Sequence, residues 1–581
     1  MRRYSNILAL FVLALFLTIL QACGNMQMVT SDDNDVVKLF AGKNTTYRVK
    51  GDINLRGKTL KIGDGSTLVF SGGSLNNGTL MGNIKFKGVK RGSLNVRFSK
   101  CNITGLVPIY NNGDVVGLIS SCVYGCKLMD DLTIDKPIYL KTSVNGNGHS
   151  ITCSEKAPVA LYINDNRTPI IIEKITLRKL IPKGTINQNY AIHSTNSSNI
   201  TIKNSFIDGR VRFANTTMSD AKEGVSKNIS IVHSDLYADF SSCPQGWEYG
   251  QDHLAFYSVK NVIIDNCTIE SKNVNRVMKT SAYFHEKEYS HPQNCTDGVV
   301  FRCNKVVASS DKGKQFWDMF CGTVNVLIES NKIDLHGFTR FVEDKAYQKK
   351  YKGDSLHLSH IVIKNNTVSI EYGNLFQFKA NSEVDAFEVI GNTFTIYGAN
   401  INPNSQWNRQ NVFLLQGYRS CVISNNTITL KDEAIGLPLA SVSFDCLETK
   451  IVDNVIVDAS QLFFRSATSS TGDEKYTRCN RFEYCGNRRY YSQHYTKKSR
   501  MELYVVHSNI GVLFLSIPGE PISDDNIIEF GAGTTVRNLF VSVDSPKRKK
   551  LFRINNAKDV NITINQIPVG TVQQGTDWTI L

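Results

Sequence analysis

Six asparagines, Asn304, Asn331, Asn366, Asn392, Asn426 and Asn454, stand at the seventh position of a degenerate nine-residue unit that recurs through the second half of the chain. In register the unit begins at 199 (NITIKNSFI), 228, 261, 298, 325, 360, 386, 420 and 448, with apolar fourth and ninth positions each time. The starts lie 26 to 37 residues apart. That interval is too long for a hairpin meander, and the composition is too rich in β formers for a helical repeat, so each interval is one coil of a parallel β-solenoid. Stacked coils place equal slots above one another, where a buried amide bonds to the amides above and below it, as in the asparagine ladders of stacked parallel sheets. Earlier coils carry Ser205, Ser234 and Cys267 there, small residues that fill the same turn.

The N-terminus reads as an export signal. Arg2 and Arg3 precede a short apolar run over 7–20, which ends in Leu20-Gln21-Ala22-Cys23. Leu-x-Ala-Cys resembles the lipobox of bacterial lipoproteins. The resemblance implies acylation of Cys23, a polar tether over 23–35, and a body held by lipid at the cell envelope, with the outer membrane the expected surface. The chain carries 66 Lys and Arg against 52 Asp and Glu, a net +14. Removing the two signal arginines leaves 64 − 52 = +12. A basic exported protein favours polyanionic partners. Thirteen cysteines besides Cys23 form no regular framework, and some sit in core slots of the repeat (Cys267, Cys421). Mostly free core thiols are expected, with Cys122/Cys126 and Cys479/Cys485 as candidate bridges.

Residues 36–105 alternate apolar and small residues between glycines, as short strands in a small β-coil module. Apolar residues at 115, 118, 119, 122 and 126 have helical spacing and predict a short helix capping the open end of the main solenoid. The main β-helix is expected over 106–480, and further β coils or a cap over 481–581. The stretch with Arg488, Arg489, Tyr490, Tyr491, Tyr495, Lys497, Lys498 and Arg500 reads as a solvated surface loop rather than a nucleic-acid contact. Polysaccharide is the expected partner.

Residues 252–270, Asp252-His-Leu-Ala-Phe-Tyr-Ser-Val-Lys-Asn-Val-Ile-Ile-Asp-Asn-Cys-Thr-Ile-Glu, resemble the coils of the pectin-lyase-like superfamily. The resemblance implies an all-β, right-handed parallel β-helix that works on polysaccharide laid along its sheets. The polygalacturonase branch puts an Asp-Asp pair on the next coil. This chain has Asn273, Val274, Asn275 and Arg276 there and lacks the branch's other motifs, so only Asp252 carries over, onto the slot of a catalytic aspartate.

The solenoid gives a physical reason for a glycan groove, because side chains on consecutive coils, about 4.8 Å apart, form a ruler for an extended chain. Aligning 252–258, 276–281, 316–321 and 339–345 gathers Asp252, Arg276, Lys279, Asp318, Arg340, Glu343 and Asp344. The longest polar loops beside them add Trp247, Glu248 and Tyr249, and Tyr283, His285 and His291. In a hydrolase, Asp252 and Asp318, two coils and roughly 9–10 Å apart, are the acid and base of an inverting pair. In a lyase, Lys279 or Arg340 is the base, and a second cation or a metal such as calcium neutralises the enolate. Arg276, Glu343, Trp247, Tyr249 and Tyr283 are the expected substrate contacts, with Trp317 and Trp407 as further stacking surfaces. The scattered histidines give no metal site. A non-catalytic glycan-binding or structural surface protein is the alternative. Side-chain direction decides much of this: Asp252 has the parity of Leu254 and Phe256, and strict alternation points it inward.

Overall fold

A computed structural model describes residues 26–30, 36–180, 189–216, 226–242, 251–282, 295–310, 315–320, 323–344, 359–372, 374–379, 385–398, 411–465, 467–468, 474–475, 477–496, 502–517, 528–531, 533–543, 552–554, 560–564, 567–571 and 577–578. The chain divides into two compact units, one up to Asp208 and one from Gly209 onward.

The first unit opens with a small parallel sheet. Met26–Val29, Thr46–Val49 and Ser66–Phe70 pair in succession, and the long strand Ser74–Lys87 takes Asp52–Asn54, Thr59–Lys61, Ser66–Phe70 and Leu94–Thr104 as parallel partners. Within the stretch expected as a tether, Met26–Val29 is a strand. Its Val29 is fully buried while Met26 and Met28 stay exposed, so alternation docks this stretch on the sheet. Helix Val115–Ser121 follows, capped by the Asp114 side chain, which accepts from the Gly117 N–H at 2.9 Å. It buries Val115, Leu118 and Ile119 and packs on Leu94–Thr104 and Ile138–Tyr139, the capping position expected of it. Cys126, the last helically spaced position, lies instead in strand Cys126–Leu128. Beyond the helix each coil contributes three strands, and each strand pairs with its equivalent in the next coil. Val159–Asn164 pairs with Tyr190–Thr195, Ile170–Glu173 with Ile200–Lys203, and Thr176–Lys179 with Phe206–Asp208.

The second unit repeats that plan over many coils. One coil consists of Asp252–Tyr257, Val259–Asp265 and Thr268–Lys272, and the next of Arg276–Ser281, Thr296–Arg302 and Lys305–Ser309, all in parallel register. This is a right-handed parallel β-helix. Aromatic rings stack between coils in its interior, Phe316 on Phe341 at 5.3 Å and Phe376 on Phe413 at 5.2 Å. Trp317 belongs to this core. It is fully buried and donates from Nε1 to Thr280 Oγ1 at 2.9 Å, so it is no sugar-stacking surface.

The asparagines line up as a column. From each of Asn304, Asn331, Asn366, Asn392, Asn426 and Asn454, both the backbone N–H and the side-chain amide donate to Oδ1 of the next, at 2.8–3.0 Å. The amides also donate to a carbonyl of the preceding coil, as Asn366 does to Ile328 O at 2.9 Å. The residue before each ladder position is left-handed, with φ of 54° at Cys303, 57° at Asn365 and 66° at Gly391, a turn that Asn and Gly tolerate. Ser234, in an earlier slot, closes its own turn by donating to Val232 O at 2.9 Å.

Among the described residues the column runs as far as Asn487, beyond the 480 boundary read from sequence. Parallel pairing continues there, from Thr477–Cys485 to Ser508–Ile517 and on to Thr535–Val543. It stops in antiparallel pairs, Val560–Ile564 with Ile567–Thr571 and Phe552–Ile554 with Asp577–Trp578. None of the described cysteines is bridged, Cys122, Cys126, Cys479 and Cys485 included. Burial pushes the Cys421 and Cys479 thiols up, as expected of core residues.

Candidate functional site

Five successive strands, Asp252–Tyr257, Arg276–Ser281, Gln315–Phe320, Arg340–Asp344 and Asn374–Lys379, form one wall of the second unit. Each places two consecutive core side chains near its start, His253 and Leu254, Val277 and Met278, Phe316 and Trp317, Phe341 and Val342, Leu375 and Phe376, and the polar residues beside them, Asp252, Gln315, Asp318, Glu343 and Gln377, are buried as well. Strict alternation is therefore broken at one place in every coil. The break turns the residue before the pair and the residue after it to the outer side. Asp252 is brought to the outer side this way, against the inward direction its parity gave.

Two polar columns result. Nearer the corner, Asp252 stands opposite Arg276, and Gln315 opposite Arg340. Three residues on, Arg212, Ala255, Lys279, Asp318, Glu343 and Gln377 are aligned one per coil. Arg276 ties the columns together. Its Nη1 donates to Asp252 Oδ1 at 2.9 Å, and its Nε lies 2.7 Å from Asp318 Oδ2, an ion contact in which the N–H is not aligned on the oxygen. Arg340 Nη1 pairs with Glu343 Oε2 at 3.1 Å. Lys279 Nζ lies 5.7 Å from the centre of the Tyr257 ring, and the Arg212 guanidinium 4.9 Å from it. Asp344 is buried on the core-side parity.

The charges in this wall are closely balanced. Burial alone raises the Asp252 carboxyl, but Arg276, Lys279 and Arg210 outweigh it and hold the group below the usual carboxylate range. Arg276 is desolvated yet shifted up, because Asp252 and Asp318 flank it. His253 faces the opposite way. Burial, helped by Arg210, lowers it to about 3, and its Nδ1 is 2.8 Å from Ser271 Oγ. Asp252, Asp318 and Glu343 have side-chain exposures of 1–3%, against 11% for Arg276 and 20% for Arg340.

The structure thus brings together Asp252, Arg276, Lys279, Asp318, Arg340 and Glu343. Cys23, Trp247, Glu248, Tyr249, Tyr283, His285, His291 and Trp407 lie outside the described residues. Sequence reading missed Arg210, whose Nε donates to the Asp252 carbonyl at 3.0 Å, and Arg212, Tyr257 and Gln377, which share the outer face. Strand register alone finds them. Among the described residues no group of His, Cys, Asp and Glu is placed to hold a metal ion.

No family model and no curated protein matches the chain. Among solved structures, the catalytic domain of a GH87 α-1,3-glucanase variant in complex with tetrasaccharides is 11% identical, with a TM-score of 0.38, covering 69% of this chain and 68% of that one. A second structure of a GH87 α-1,3-glucanase catalytic domain, in complex with nigerose, is 8% identical, with a TM-score of 0.33 and the same shares. At these values neither carries a substrate, a residue role or a mechanism to this chain.

Proposed function

We propose that this β-helix hydrolyses polysaccharide on its outer polar wall, with an extended glycan lying across the coils over Lys279, Asp318 and Glu343. One observation carries the reading: a cation and two carboxylates occupy one outward column on three consecutive coils, positioned by arginines at the strand starts. A column with the strand repeat of about 4.8 Å presents successive groups along a sugar chain. Carboxylates flanking a glycosidic bond are the common means of hydrolysing it. The lyase reading is weaker, because its candidate bases are engaged, Arg340 with Glu343 and Lys279 over Tyr257. Asp252, held anionic by Arg276, suits positioning and does not suit proton donation.

The net positive charge of the chain favours an acidic glycan. Export and lipid attachment at Cys23 belong to the same proposal. A second reading, in which the wall is a structural or binding ion network, is favoured by the near-complete burial of the carboxylates, since hydrolysis requires the wall to open to substrate.

A polysaccharide panel assayed for new reducing ends and for the ultraviolet absorbance of unsaturated uronates tests the proposal. Reducing ends without absorbance, lost in Asp318→Asn while glycan binding persists, are expected. Absorbance would identify a lyase. Binding without cleavage across the panel would leave the structural reading.

A further inference from the structure

We infer that the first β-coil module carries a membrane-contact face, which lays Met26, Met28 and the cations of the neighbouring coils on a bilayer of anionic lipid. The inference rests on the lipid attachment at Cys23 proposed above and adds the protein surface that the attachment brings down.

Charge along the chain singles this module out. Residues 36–105 hold nine lysines and four arginines against only Asp52 and Asp64, a net 13 − 2 = +11. With the three aspartates of 24–35 included, the 82 residues after Cys23 still net +8. The 476 residues from 106 onward hold 51 basic and 47 acidic side chains, a net 51 − 47 = +4.

Strand register gathers part of this charge on one face. Met26, Thr46, Thr67 and Lys85 are successive Cα partners, and so are Met28, Arg48, Val69 and Lys87. Tyr47, Leu68 and Phe86, which alternate with them, are buried, so both columns point outward. Met26 and Met28 are 63% and 58% exposed, on an edge strand whose one partner among the described strands is Thr46–Val49. Lys85 and Lys87 are exposed three strands away, about 15 Å at the coil spacing. The two aspartates lie off this face. Asp52 stands opposite Ser74, at the far end of the long strand from Lys85, and accepts from the Ser74 hydroxyl at 2.6 Å. Asp64 lies in the turn before Ser66–Phe70 and accepts from Asn83 Nδ2 at 3.1 Å.

A bilayer satisfies both parts of the face. Methionine enters the boundary between headgroups and acyl chains, while lysine lays its stem there and reaches the phosphates with its ammonium. A soluble polyanion matches the cations but gives the methionines no apolar partner. Position agrees with chemistry: Cys23 stands three residues before Met26, no more than about 11 Å of extended chain, so an acyl group there holds this edge strand at the bilayer surface.

Vesicle sedimentation of the mature polypeptide from Gly24 onward, without its acyl group, tests the face apart from the anchor. Binding is expected to vesicles of phosphatidylglycerol and phosphatidylethanolamine, to weaken as salt is raised, and to be lost with phosphatidylcholine alone. Each cation at an anionic surface is worth about fivefold, so Lys85→Gln/Lys87→Gln is expected to lower partitioning roughly 30-fold. Met26→Ser/Met28→Ser is expected to lower it with the salt dependence unchanged. Lys305→Gln/Lys332→Gln removes two exposed lysines from the second unit and is expected to bind like wild type. An equal loss in that variant makes overall charge the cause and overturns the inference. So does binding of a soluble acidic polysaccharide without binding to vesicles. Lipid attachment is read separately, from the mass of the N-terminal peptide of the exported protein. Acylated Cys23 with no vesicle binding by the polypeptide sinks this face and leaves the attachment standing.

Discussion

Arg276 Nε lies 2.7 Å from Asp318 Oδ2 on the neighbouring coil, and the same guanidinium donates through Nη1 to Asp252 on the other side. Removing it leaves two buried carboxylates without that charge. Arg276→Met is therefore expected to destabilise the fold by about 3–5 kcal/mol, the range for breaking a buried ion pair on one side. The pH dependence fixes the mechanism. The folded value of Asp252 is depressed, so the stabilisation is fully present above the unfolded value near 4 and is lost as pH falls through the folded one. The deficit of Arg276→Met, measured by denaturant unfolding, is expected to be larger at pH 7 than at pH 3. An equal deficit at both would mean that packing of the side chain, and not its charge, is what matters.

His253 titrates in the other sense. It is buried as the neutral ring with a folded value of about 3, while the unfolded chain takes up the proton near 6.5. Between those values the unfolded state binds more protons, so stability is complete above about pH 6.5 and declines as pH falls toward 3. His253→Asn, which keeps a polar atom for Ser271, is expected to flatten that limb, cutting the difference between pH 6.5 and pH 4 by up to about 3 kcal/mol. Unchanged curvature in an unfolding series across that range would assign the acid limb to other groups.

Asn365 and Asn366 are neighbours in sequence with different duties. Asn366 is buried in the ladder; its loss takes this partner from the Asn331 N–H, from one of the two Asn331 amide hydrogens (the amide keeps its bond to the Phe301 carbonyl) and from the Ile328 carbonyl. Each orphaned buried group costs about 1–3 kcal/mol, so Asn366→Ala is expected to cost at least about 3 kcal/mol in equilibrium unfolding. Asn365 is exposed at φ 57°, and Asn365→Ala meets only the left-handed strain, about 1 kcal/mol. Equal losses would remove the ladder as the main support of these turns.

Lys279 is one of two cations of the outer column, with Arg212, that stand over the Tyr257 ring. A cation there is worth about 0.5–1 kcal/mol to an anionic ligand, so Lys279→Ala is expected to weaken binding of an acidic glycan by roughly two- to fivefold. The deficit shrinks as salt is raised, since exposed charges are screened within about 8–10 Å near physiological ionic strength. Affinity electrophoresis at two salt concentrations measures it. A deficit independent of salt would mean that Lys279 acts through packing.

The winding of the chain was legible because one asparagine slot recurs with two apolar slots around it. Its end was not. In the coil beginning at Arg481 the asparagine is present as Asn487, but the ninth slot, occupied by Ile456 in the coil before, holds Arg489. Reading apolar slots therefore stops one coil early, and a buried arginine was mistaken for part of a solvated basic stretch. The site was legible as a set of residues and illegible as a geometry. Period-2 alternation pointed Asp252 inward, and only the paired burial of His253 with Leu254, repeated in the next four coils, shows where the phase slips. Partners such as Arg212 and Tyr257 carry no motif; they are defined by strand register alone.

Arg489 itself is a test of that account. It is buried in an apolar slot opposite Ile456, donates to the Ala459 carbonyl at 2.7 Å and to that of Ser460, and lies over Tyr491. Burying a guanidinium costs several kcal/mol, and replacing buried charges with apolar groups of similar volume is often neutral or stabilising. Against that stand two carbonyls that lose a donor, at about 1 kcal/mol net each. The two nearly cancel, so Arg489→Met is expected to fold with a stability within about 1 kcal/mol of wild type. Arg489→Ala loses the same bonds and also opens a cavity, for an expected loss of about 2–4 kcal/mol. Should Arg489→Met in denaturant unfolding prove as damaging as Arg489→Ala, the guanidinium bonds, and not the filling of the slot, are what close this coil.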